Sequence, residues 1–474
     1  MNISDSEVSM LFLFRNCRGH CHKRLDINHN ISQSYTFKCI SLFLILILGI
    51  SIFTAASTSI LPISSFAQEK ITLRALLVEP RDRWEKSLIP MALQNLTAKY
   101  PELDIQVNYT ILPYNIAREQ MLKSLGNNSD LDLISVDQIW LGEFAEKGYL
   151  TDLSNYSSAW GRLDDWYESN LDGAVYNDKI YGIWAWTDVR SIWYWKDLLN
   201  RSAVDPNSLT LWDSYIESAE KLNDALNDQG IQGVQLIGGP GSQNEWYPFL
   251  WMLGGSIVES KPDHPTKGSY WFPSYNSSQG VRALEFYKAL VDAGVKPITV
   301  DFEKEFANKK YAVILGGSWL PTSFPSLTKQ DIEQQIGMIP MFPVPNENTT
   351  TSTIMGGWLL SIPYSSKNKD LTWELIESML EPQILSTMLA EYGYLPTQIS
   401  IGEGPYSGEL RNSIPYYDQL ISLVQFGHAR PNIAEYPQIA DHLREAIDSV
   451  YSGAKEPKQA LDDAAAKSAK ALGW

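Results

Sequence analysis

The residues in this 474-residue chain that could do chemistry are acids and aromatic side chains set close together. Asp137 is followed by Trp140, Trp186 precedes Asp188, Trp319 follows Gly316-Gly317, and Trp358 follows Gly356-Gly357. The chain has 16 Trp and 24 Tyr. A carboxylate accepts hydrogen bonds from hydroxyl groups, and a rigid indole or phenol offers a flat apolar face at low entropic cost. The two together suit a polar ring such as a sugar, which has hydroxyls on its rim and one apolar face. The same tryptophans are equally suited to a core. Glycine at 356 and 357 would let backbone amides approach a bound molecule. Arg81, Arg83 and Arg190 are the nearby cations. In a site they would favour an anionic ligand such as a sugar phosphate, and on a surface they would form ordinary ion pairs.

Other chemistries find little support. No G-x-S-x-G, H-E-x-x-H or G-x-x-x-x-G-K-[ST] pattern occurs, and there are only six His. All three cysteines (Cys17, Cys21, Cys39) precede residue 40, so the rest of the chain has neither disulfide nor thiolate metal site. Cys17 and Cys21 with His20 and His22 form a short cluster, read as part of an unstructured leader rather than a zinc site. Neither metal nor cofactor is expected. The formal net charge of −17 repels phosphate backbones, which excludes nucleic acid as a partner.

Residues 1–38 form a leader with clustered basic residues, and an apolar run from Ile40 to Ile60 follows it. A run of about 20 apolar residues can span a bilayer as a helix. The expectation is a cytoplasmic leader (1–38), a transmembrane signal or anchor (39–67) and an exported remainder. Ser65-Phe66-Ala67 fits cleavage after Ala67, with a retained anchor as the alternative. N-x-[ST] sequons at Asn95, Asn108, Asn127, Asn155, Asn200, Asn276 and Asn348 suit an exterior surface.

After residue 68 the hydrophobic period alternates between two and 3.6. Strands are expected at 71–77, 104–110 and 132–136, with a helix over 84–100 and another capped by Asn115 that turns Ile116, Met121, Leu122 and Leu125 inward. Helices are expected at 211–226, 280–293, 371–388 and 436–451, and strands at 311–315 and 357–362. The alternation argues for a parallel α/β sheet with ligands beyond the carboxyl ends of its strands, where Asp137 and Trp140 fall.

An ordered set of motifs then resembles the extracellular solute-binding proteins of ABC importers, of the maltose-binding type. Asp130-Leu131-Asp132-Leu133-Ile134-Ser135-Val136-Asp137-Gln138-Ile139-Trp140 resembles the strand leading to a ligand-contacting Asp-x-x-Trp. Ile192-Trp193-Tyr194-Trp195-Lys196-Asp197-Leu198-Leu199 resembles the "YNKDLL" segment, with Trp195 where Asn is usual. Ala312 to Trp319, Gly356-Gly357-Trp358, and Ala429-Arg430-Pro431 with Tyr436 resemble further elements in the family's order.

The resemblance implies a type II periplasmic-binding-protein-like α/β fold of two hinge-connected, discontinuous lobes. Lobe one is expected at 69–184 plus 359–382 and lobe two at 185–358 plus 383–474. It also implies ligand contacts at Asp137, Trp140, Trp186, Asp188, Trp319, Gly357 and Trp358, with the acids accepting hydroxyls and the indoles stacking. Arg81 is added as a polar candidate from the first strand–helix loop. The implied role is that of a monomer, not an enzyme, that captures a sugar outside the cytoplasm and delivers it to ABC permease subunits. A secreted carbohydrate-active hydrolase and a membrane-anchored sensor of the same fold are the alternatives.

Overall fold

Two long strands carry the architecture. In the computed structural model, which describes residues 68–261, 270–299 and 301–474, the first three strands are β1 (Glu69–Val78), β2 (Leu103–Leu112) and β3 (Leu133–Asp137). They are joined by the helices α1 (Ile89–Lys99) and α2 (Tyr114–Gly126). β1 pairs in parallel with β2 and with β3. β4 (Ile183–Trp195) is apolar except at Thr187, Asp188, Arg190 and Ser191 and is mostly buried, as expected of a strand covered on both faces. At about 3.3 Å per residue its 13 residues reach roughly 40 Å, enough to serve two sheets.

One half of β4 pairs antiparallel with β7 (Thr353–Ser361), which pairs on its other side with β3. The far half pairs antiparallel with β5 (Tyr311–Gly317) and β6 (Ile336–Ile339). β4 therefore belongs to both sheets, and the middle of β4 is where they meet. The central strands β3 and β5 are buried throughout, and the apolar core continues along both sheets.

The strands and most helices follow the sequence pattern, with three local departures. α2 begins at Tyr114, so Asn115 lies inside its first turn rather than at its cap. The residue before the helix is Pro113, which has no capping side chain, and the Tyr114 amide is taken instead by the Glu79 carboxylate at 3.0 Å. Ile116 points outward and is 40 % exposed, while Ala117, Met121 and Leu125 form the buried stripe. The stretch read as one helix over 371–388 is two, Lys369–Met379 and Pro382–Tyr392. Proline lacks the amide to continue a helix but starts one readily, so Pro382 restarts the chain.

Six of the seven sequon asparagines are exposed. The exception, Asn276, is half-buried and donates to Asp462 at 2.9 Å. Among the described residues no helix is long and apolar enough to cross a membrane. The leader, the span expected at 39–67, the Cys/His cluster and the cleavage position lie outside the described residues.

Candidate functional site

Strand register assembles the site. Side chains at i and i+2 share a face of a strand, and directly paired residues share a face across strands. Trp186, Asp188 and Arg190 therefore lie on one face of β4. Trp358 of β7 pairs with Trp186 and, on its other side, with Asp137 of β3. Gly356 pairs with Asp188, and Gly317 with Arg190. One continuous face thus presents Asp137, Trp358, Trp186, Asp188 and Arg190 where the two sheets meet.

Asp137 ends β3 and caps α3 (Gln138–Glu146), its carboxylate accepting the Ile139 amide at 3.3 Å. The cap explains the Asp-x-x-Trp spacing, because Trp140 then falls in the first turn of α3 on the same side as its capping acid. Trp140 stacks on Tyr114 with ring centroids 5.6 Å apart, and Trp358 stands edge-on to both at 5.8 and 6.1 Å. The Tyr114 hydroxyl donates to Asp137 at 3.0 Å. Arg430 approaches the other side of Asp137, with Nη2 3.8 Å from Oδ1. The Arg430 carbonyl is held by Gln138 Nε2 at 2.9 Å.

On β4, Asp188 rests against Gly356, where a Cβ would lie 2.7 Å from its carboxylate oxygen. Its Oδ1 has no hydrogen-bond partner. Arg190 forms an ion pair with Glu245, which is almost fully buried, and its guanidinium lies 5.5 Å from the Trp319 ring. The Trp319 ring folds over Gly317, where any side chain would collide with it, and its indole N–H donates to Glu303 at 3.1 Å. Arg190, Glu245, Asp301 and Glu303 line a cavity of about 350 Å³ with Asn244 and Phe302. That volume lies within the range of small-molecule sites.

Burial raises the carboxyl groups of Asp137, Asp188 and Glu303 above the ordinary carboxylate range. For Asp137 and Asp188 the neighbouring arginines, Arg430 and Arg190, pull partly back. Burial pushes Glu245 up to about 7, against the opposing pull of Arg190. Arg430 loses from burial but gains more from Asp137 and its neighbours, so it is held above its ordinary value.

These shifts have a sign for stability. An unfolded Glu245 ionises near pH 4.5 and the folded one near 7, so the folded state binds the extra proton in between. Stability is therefore expected to fall as pH rises from about 5 through 7. Urea unfolding from pH 5 to 8 should show the slope, and Glu245→Gln should flatten it. A slope unchanged in that variant would mean that Glu245 does not titrate in this window.

The structure brings together most of the residues singled out in the sequence, but not all in the expected manner. Asp137, Trp140, Asp188, Trp319 and Trp358 surround the meeting point, with Gly357 in the strand between. Trp186 is wholly buried, its ring packed against Arg83, Trp84 and Tyr394, and it has no free face for stacking. Arg81 is exposed and paired with Glu85 at 2.6 Å, outside this group. Arg83 is sealed, donating to the Val78 and Glu79 carbonyls at 3.1 Å, and burial lowers it to about 10.

Four site residues went unassigned in the sequence: Tyr114, Glu245, Glu303 and Arg430. Glu245 had a usable signal, a lone acid at the head of the apolar run Trp246-Tyr247-Pro248-Phe249-Leu250-Trp251. Arg430 lay in the Ala-Arg-Pro segment without a role being assigned to it, and nothing local marks Tyr114 or Glu303.

An α/β fold of two sheets sharing the long strand β4, with acids and indoles where they meet, has the form of a two-lobed binding protein. The comparisons agree. The model of the bacterial extracellular solute-binding protein family matches residues 92–406, and the chain belongs to that family. A binding protein of Brucella abortus is 23% identical over 379 residues, covering 77% of this chain and 85% of its own. The galactooligosaccharide-binding protein of Bacillus subtilis is 24% identical over 394 residues, covering 81% and 87%. Among solved structures, an ABC transporter solute-binding protein of Thermotoga lettingae bound with α-D-tagatose superposes with a TM-score of 0.69. It is 23% identical and covers 85% of this chain and 100% of its own. The fold is thus the two-lobed periplasmic-binding-protein-like fold of sugar-binding structures.

Proposed function

We propose that this solute-binding protein captures a sugar or oligosaccharide outside the cytoplasm, in the cleft at the crossing strands, and delivers it to the permease of an ABC importer. The observation that carries this reading is the single sheet face joining Asp137, Trp358, Asp188 and Arg190, flanked by the Tyr114–Trp140 stack and Trp319. Carboxylates there accept sugar hydroxyls, and the partly open Trp319 and Trp358 offer apolar ring faces, whereas Trp140 is buried against Tyr114, Phe144 and Trp358 and backs the site. Names of related proteins support the ligand class, since one binds galactooligosaccharides and another arabinooligosaccharides. Two lobes, lobe one at 69–184 plus 359–382 and lobe two at 185–358 plus 383–474, suit a chain in which one strand, β4, serves two sheets. Capture then works by population shift: a ligand touching both lobes only in the closed state stabilises closure.

Calorimetric titration of the purified protein with di- and oligosaccharides tests the reading. A saturable heat ending at one site per chain is expected. Heat that continues after mixing would mean turnover and replace binding with hydrolysis, and silence across the panel would sink the sugar assignment. With a ligand in hand, Trp358→Ala is expected to cost about 1–3 kcal/mol of binding, the scale for burying a large side chain. Small-angle scattering should show compaction on saturation, and an unchanged radius would count against closure.

A further inference from the structure

Resting on the proposed sugar-binding reading, we infer that the cleft selects its ligand by charge: it takes sugars that are neutral or carry an amine, and rejects those bearing a carboxylate or phosphate.

The inference follows from where the cations go. Arg190 and Arg430 face the crossing, each with an acid beside it, although Nε of each makes no hydrogen bond. Arg190 is paired with Glu245 and lies over the Trp319 ring. Arg430 sits beside Asp137, and both Asp137 and Asp188 favour its charged form. The two arginines near the first strand–helix loop are unavailable. Arg81 is turned to the surface with Glu85, and Arg83 is enclosed by Trp84, Trp186 and Tyr394 with backbone carbonyls as acceptors.

The acids are in surplus. Asp301 and Glu303 line the cavity and neither forms an ion pair among the described residues, Glu303 feeling Arg190 only through space. Asp301 accepts the Lys304 amide at 3.0 Å, and Glu303 accepts the Trp319 indole at 3.1 Å, which leaves acceptor capacity on both. Asp188 Oδ1 has no partner, and neither has Oε2 of the almost fully buried Glu245. Asp137, Asp188, Glu245, Asp301 and Glu303 thus face two arginines, and this surplus of negative charge favours ligand groups that donate. Hydroxyls and ammonium groups supply donors, whereas carboxylates and phosphates supply only further acceptors. An anion placed here would lose its hydration and face more carboxylates than guanidinium groups in a medium less polarisable than water.

The test is calorimetric titration at pH 8, where Glu245 is ionised and its pair with Arg190 intact. Cellobiose, maltose and galactobiose would each be titrated as the neutral sugar, the 2-amino-2-deoxy analogue and the 6-carboxylate. Neutral and amino forms of the preferred sugar are expected to bind, and its carboxylate to bind at least about tenfold more weakly, the scale of one unfavourable charge contact. Glu303→Gln and Asp188→Asn keep an acceptor but remove the charge, and each is expected to narrow the carboxylate-to-neutral ratio. A carboxylate that binds as well as its neutral parent would overturn the inference and leave the sugar reading standing. So would a ratio unmoved in both variants. No binding by any form would remove both.

Discussion

Arg430→Met is expected to destabilise the protein by about 3–5 kcal/mol, the cost of leaving buried carboxylates without their cation. Arg430 is 7 % exposed, and it is the cation 3.8 Å from Asp137. Asp137 is held in place whether or not Arg430 is present, because it caps α3 and receives the Tyr114 hydroxyl. It cannot turn to water when the guanidinium is removed. Its carboxyl group, already raised by burial, would rise further and ionise only at a cost. The deficit should therefore shrink as pH falls and the acid takes up a proton. Urea unfolding of Arg430→Met, Asp137→Asn and the double variant separates the pair from its members. The double variant should recover much of the loss, since no buried charge is left uncompensated. A loss below about 1 kcal/mol in Arg430→Met would mean that the pair is open to water.

Gly357→Ala is the second large effect, expected at about 2–5 kcal/mol from backbone strain combined with overpacking. Gly357 has φ +144, a conformation open to glycine and disfavoured for side chains. A Cβ there would lie 2.3 Å from the Trp186 carbonyl oxygen and 3.0 Å from Thr187 Cα, both backbone atoms of β4. It would also meet the Trp184 ring at 2.7 Å. Relief requires β7 to separate from β4, the strand that the two sheets share. Gly254→Ala is the control, with φ +79 and nothing within 4 Å of the added carbon. It should cost about 1 kcal/mol, the penalty of a side chain at positive φ alone. Equal losses in the two variants would remove the packing argument and leave only strain.

Many of the strands and helices were legible from residue order alone. Period two along Trp186, Asp188 and Arg190 puts them on one face of β4 whatever their partners, although the strand itself, interrupted by Thr187, Asp188, Arg190 and Ser191, was not among those expected. The order of the Asp-x-x-Trp, Gly-Gly-Trp and Ala-Arg-Pro segments was sufficient to indicate the family. Misreadings arose where a neighbour distant in sequence takes over a local role. Asn115 is a good capping residue, yet the carboxylate of Glu79 across the loop from β1 satisfies the first amide of α2.

The tertiary structure alone decided which of these residues can meet a ligand. Trp186 and Trp358 are the same residue type, on the same face, in paired positions, and nothing in their sequence surroundings separates them. Arg83 and Trp84, brought in from the turn after β1, cover the first and leave the second partly open. Arg430 is likewise invisible to local spacing, because its carboxylates come from strands hundreds of residues earlier. The pattern along a chain determines how each residue faces its own strand or helix, since that follows from backbone geometry. Burial and ion pairing depend on which distant element arrives opposite, and the fold sets that through long-range packing.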